Sequence, residues 1–138
     1  EAPADSLIHE LLHVRYGAAD GLALSAYRAL EDVVRQYGSI PYTRLKSAAS
    51  LDSAMAVLKM CKSRVDAANL PLLGAMLDYA IGDLAVLKLK ASGAPGATVE
   101  ARVRELVDML QQHAGKGLFV LREKDNLRIY ISHYNNLK

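Results

Sequence analysis

The run His9-Glu10-Leu11-Leu12-His13 carries the most specific chemical spacing in the chain. On a helix, residues four apart lie one above the other on the same side. His9 and His13 would then aim two imidazoles at one point, a pairing that suits a zinc ion. Glu10 would stand beside them as general base for a metal-bound water. The plain alternative is an amphipathic helix whose solvent side carries two histidines. A different chemistry is open to Arg102 and Arg104, which share one predicted helix, and to Arg122, Lys124 and Arg128, which cluster toward the C-terminus. Long cationic side chains of this kind reach phosphate oxygens. Arg44 and Lys46, followed by Lys59 and Lys62, form an earlier basic stretch.

Helices must position most of these residues. The chain has 138 residues, 51% of them hydrophobic, enough for one domain spanning 1–138 with a sizeable core. It holds seven Tyr, one Phe and no Trp, so Leu, Val, Ile and Ala must do most of the filling. Residues 6–16 read as a helix with Ser6 as N-cap, Leu7, Leu11 and Val14 at helical spacing, and Gly17 as its stop. A second helix covers 20–37, with Asp20 at its start and Leu24, Tyr27, Val34 and Tyr37 on one side. Pro41 opens a short helix to about Ser47. Ser50 caps a helix over 51–68 striped by Leu51, Met55, Leu58, Cys61 and Val65. Pro71 opens another, striped by Leu73, Leu77, Ile81 and Leu84. Its tail, Leu87-Lys88-Leu89-Lys90, alternates in a way that fits helix or strand. After the loop 91–97, Thr98 caps a helix to about His113, with Val99, Val103, Leu106, Val107 and Leu110 on its apolar side. Beyond Gly115 and Gly117, residues 118–122 and 127–132 read as two strands turning near Lys124-Asp125-Asn126. The expected fold class is therefore mainly α with a C-terminal β-hairpin, an α+β arrangement.

The order of capped helix, glycine break, strand, charged turn and strand resembles the recognition helix and wing of the winged helix-turn-helix superfamily. Thr98-Val-Glu-Ala-Arg-Val-Arg-Glu-Leu, Gly117-Leu-Phe-Val-Leu-Arg and Leu127-Arg-Ile-Tyr-Ile-Ser carry the resemblance, over about a quarter of the chain. It implies a winged-helix-like domain with Arg102 and Arg104 near a groove and with Arg122, Lys124 and Arg128 on phosphates. Glu100, Glu105 and Asp108 share the helix with the two arginines. Tyr37-Gly-Ser-Ile-Pro-Tyr-Thr-Arg-Leu-Lys, before the 51–68 helix, offers a second helix-turn-helix opening, lined by Arg44, Lys46, Lys59 and Lys62. The H-E-x-x-H spacing resembles the zincin metalloproteases, which implies Glu31 as a third ligand and makes His9, His13 and Glu31 an alternative metal set.

Net charge is only +2, but it is unevenly spread. Residues 1–39 hold Arg15, Arg28 and Arg35 against six carboxylates. Residues 40–66 and 116–138 each carry five cations against two carboxylates. Two basic zones suit a polyanion-facing side, and equally a surface with charge scattered around it. Cys61 is the only cysteine, so no intrachain disulfide forms and a reducing, cytoplasmic setting is expected. No uncharged apolar run reaches the roughly 20 residues that span a bilayer. The sequence thus reads as a non-enzymatic protein that binds DNA or RNA, with no cofactor and no membrane partner. The alternative is an assembly or adaptor module forming homodimers, and the third reading is zinc-dependent hydrolysis at His9, Glu10 and His13.

Overall fold

Five α-helices and one 3₁₀ turn, with further helical residues at 131–132 and 134–135, account for the regular structure of the described residues, which in this computed structural model are 3–37, 47–113, 131–132 and 134–135. In order they are α1 (Pro3–Tyr16), a 3₁₀ turn (Gly17–Ala19), α2 (Asp20–Tyr37), α3 (Ala48–Ala67), α4 (Pro71–Ala91) and α5 (Gly96–His113). The short helix expected from Pro41 lies outside the described residues.

Local chemistry explains the boundaries. Ser47, not Ser50, caps α3: its backbone is extended and its Oγ accepts a hydrogen bond from the Ser50 N–H at 3.2 Å. The Pro95 carbonyl takes the N–H groups of Thr98 and Val99, so α5 starts at Gly96 and Thr98 lies inside it. The ambiguous tail Leu87–Lys90 is helical, and Leu87 is buried with Leu84 and Val86. Both helices that end in tight turns do so through a left-handed residue. Asn69 (φ 56°) follows α3, its N–H bonding to the Asp66 carbonyl and the Leu70 N–H to the Val65 carbonyl. Gly93 (φ 71°) follows α4, with its N–H on Lys90 and the Ala94 N–H on Leu89. These paired bonds satisfy carbonyls that a helix end leaves open and reverse the chain within a few residues.

The reversals set neighbours side by side. Lys62 on α3 reaches Asp78 on α4 at 3.5 Å, while Asp52 at the other end of α3 holds Lys88 of α4 at 2.6 Å. Only antiparallel helices pair in that order. α4 sits at the centre and buries Leu73, Ala75, Leu77, Leu84, Val86 and Leu87. α3 brings Leu51, Leu58 and Val65, and α5 brings Val103, Leu106 and Leu110, all fully buried. α2 contributes Ala23 and Ala26. The apolar stripes expected for α3 and α5 are the ones buried, apart from Cys61, which is half-buried.

The expected C-terminal β-hairpin is overturned. The described residues contain helices and no strand, and Ile131 and Ser132, assigned to the second strand, are helical, as are Tyr134 and Asn135. The rest of the expected hairpin, 118–130, lies outside the described residues. The physical reason is that Leu127, Ile131 and Tyr134 recur at four and three residues, a helical stripe written over the same text as the alternation. Tyr134 is fully buried and its hydroxyl donates to the Asp83 carboxylate of α4, a tertiary anchor that decides the matter. The fold is all-helical where described, and the winged-helix architecture does not stand.

Asn69 is the one non-glycine residue in the left-handed region among those described. A β-carbon without a short polar group is penalised there by about 1–2 kcal/mol. Asn69→Ala is expected to lower the unfolding free energy by about 1 kcal/mol in a urea titration, and Asn69→Gly to leave it unchanged or raise it.

Candidate docking surface

α1 meets the bundle along one edge only. Leu12 and Tyr16 pack against the core. The Tyr16 and Tyr27 hydroxyls hydrogen-bond at 2.8 Å, and their rings are 6.3 Å apart. Arg15 lies over the Tyr16 ring at 5.8 Å, and His13 Nδ1 reaches Asp20 at 3.2 Å. Burial, and then the hydrogen bond shared with Tyr27 and the charge of that neighbour, push the Tyr16 phenol up to about 12.

That geometry gives the H-E-x-x-H reading no converged set of ligands among the described residues. His9, Glu10 and His13 are all exposed, and His13 is turned to Asp20. Glu31 lies on α2 and accepts from Arg35 at 3.1 Å. Among the described residues no group of three His, Cys, Asp or Glu side chains converges on a point where a metal would sit. The motif spacing is real, but no third donor among the described residues is brought to it.

The basic residues fare no better. Arg102 pairs with Glu105 at 3.2 Å and Arg104 with Glu100 at 2.9 Å, so each arginine is held by a carboxylate of its own helix. Arg44, Lys46, Arg122, Lys124 and Arg128 lie outside the described residues. Further cations serve to join helices. Lys62 bridges Asp66 and Asp78; burial works against its ammonium, but the two carboxylates outweigh that and raise its pKa.

What the sequence did not signal is where the α1 stripe points. Leu7, Leu11 and Val14, spaced as core residues, are exposed: Leu11 by 61% and Val14 by 86%. Ile8 is exposed beside them. The stripe lies roughly 150° around α1 from the edge that Leu12 and Tyr16 bury. Apolar residues cover more than half of the α1 circumference, and the bundle uses only one margin of it. No spacing rule could show this, since periodicity reports a shared face and not what covers it.

A second uncovered apolar feature runs between α2 and α3. It is an open groove of about 590 Å³ with Ala29 and Val33 on one wall and Ala54, Val57 and Cys61 on the other. Arg28 and Asp32 stand on its α2 lip, and Ser25 of α2 and Ser53 of α3 also line it. Val57 and nearby Met60 are more than half exposed. No helix of the described residues is long and apolar enough to cross a membrane.

The Tyr16 environment has a consequence for alkaline stability. The unfolded phenol titrates near 10 and the folded one near 12, so the folded chain holds that proton more tightly. The associated stability is fully present below pH 10 and is lost as pH rises through 12. In ultraviolet titration, the difference between wild type and Tyr16→Phe is expected to show this high midpoint, and Tyr27→Phe to lower it. No family model, curated protein or solved structure matches the chain.

Proposed function

We propose that the chain is a non-enzymatic assembly module that associates with further copies of itself through the outer face of α1. One observation carries the reading: Leu7, Ile8, Leu11 and Val14 stand exposed together on a helix whose other edge is already packed. Grouped exposed apolar side chains of this size mark contact surfaces, whereas single ones do not. Positions 7, 11 and 14 keep the first, fourth-on and seventh-on spacing with which a helix anchors itself in an apolar groove. Glu10 and His13, on the polar side of the helix next to the stripe, supply a margin of the kind that rims an interface, while Arg15 lies between Leu11 and Ile8 with its guanidinium over the Tyr16 ring. A reducing, cytoplasmic setting suits the free thiol of Cys61 in this reading.

The nucleic-acid reading draws no support from the described cations. The two arginines meant for a groove are each paired with a glutamate, and acidic neighbours lower affinity for a phosphate array.

Sedimentation velocity over a concentration series tests the proposal. Wild type is expected to show a mass above the monomer that rises with concentration. Leu11→Glu is expected to remain monomeric, with the thermal midpoint that wild type shows when diluted to monomer, because Leu11 adds little to the core. A wild type that stays monomeric at the highest concentration would overturn it. So would a salt-sensitive affinity for duplex or single strand that Leu11→Glu leaves untouched while no self-association is seen.

A further inference from the structure

The self-association just proposed leaves open what receives α1, and the inference below rests on that reading. We infer that the receptor is the α2–α3 groove of a second copy, so that the chain joins head to tail.

Three observations lead there. The first is length. Leu7 to Val14 spans about 10 Å along a helix, and the wall from Ser25 to Val33 about 12 Å. The groove therefore takes all three anchors of α1 in one placement. The second is charge. Glu10 flanks the exposed stripe and pairs with no cation among the described residues. Arg28, on the groove lip, pairs with no carboxylate among them. A stripe laid in the groove can bring these two ions together at the rim. The third is direction. Tyr27, which binds α1, lies roughly 160° around α2 from the groove residues. The chain's own α1 is thus fixed on the far side and turned outward, so it cannot fill its own groove. Among the described residues, the groove of another copy is the surface that matches it.

Key and receptor on opposite sides of one rigid body give a heterologous contact. Such contacts build chains or rings rather than a two-fold pair. A face-to-face pairing of two α1 stripes would instead stop at a dimer and leave the groove empty.

Cys61 supplies the readout, since the only thiol in the chain lines the groove. Its reaction with Ellman's reagent is to be followed while protein concentration is raised, together with the mass by sedimentation. With nine grooves in ten filled, the wild-type rate is expected to fall about tenfold, while that of Leu11→Glu stays constant. Val57→Arg blocks the groove at an exposed position and keeps α1 intact. Each variant alone is expected to be monomeric. Mixed, they are expected to give a one-to-one pair that grows no further, with the thiol shielded only in the Leu11→Glu copy. A Val57→Arg protein that still self-associates overturns the groove inference and leaves self-association through α1 standing. So does a wild type that associates with its thiol equally reactive at every concentration. A wild type that never associates removes both.

Discussion

The burial of α4 is the constraint on which this molecule depends. It is apolar nearly all round, and such a helix is stable only if neighbours cover it on several sides. α3 and α5 do so along its length and α2 in part. The approach of α5 is close because Gly82 offers no side chain: a β-carbon there would lie 2.7 Å from Leu106 Cδ1, which is itself fully buried. Each leucine buried along this axis contributes about 1.5–3 kcal/mol of transfer free energy. The charges on α4 do a different job. Asp78 and Lys88 reach α3, and Asp83 takes the Tyr134 hydroxyl. Partly exposed ion pairs contribute only about 0–1 kcal/mol each, so these fix which turn of one helix faces which turn of the next.

α1 stands outside that arrangement. α4 is covered without it, and the pair of tyrosines that hold α1 lies at its C-terminal end. The helix keeps its apolar arc although the bundle has no use for most of it. An interface explains an arc wider than the core needs, and a receptor role for the groove lined by Val57 and Cys61 explains why one helix pair leaves a gap unfilled. Function in this molecule is thus read from what the core leaves over.

Much of the bundle was legible in sequence because burial and spacing agree there. Leu51, Met55, Leu58 and Val65 on α3, and Val99, Val103, Leu106, Val107 and Leu110 on α5, recur at helical intervals and all are buried. Pro71 marked a boundary by chemistry that is independent of context. Two readings went wrong where a local pattern had two solutions. Residues 127–132 alternate like a strand, but Ile131 and Tyr134 also fit a helix, and the bond to Asp83 is invisible until α4 is in place. Leu7, Leu11 and Val14 were legible as a helix face and not as an exposed one, because exposure belongs to the assembled neighbours. The H-E-x-x-H spacing misled for a related reason: two ligands come from local geometry, and a third requires tertiary convergence that α2 does not provide.

The single-edged seating of α1 also governs how the molecule breathes. A segment released by parting one tyrosine contact, one histidine–aspartate pair and the packing of Leu12 and Tyr16 opens with the α3–α4–α5 centre left in place. Its amides should exchange with solvent through brief local detachment, while those of α3 and α4 await whole-molecule unfolding. Whatever clasps the outer face of α1 would then also hold the helix shut, and part of the recognition energy would be spent on quieting that motion.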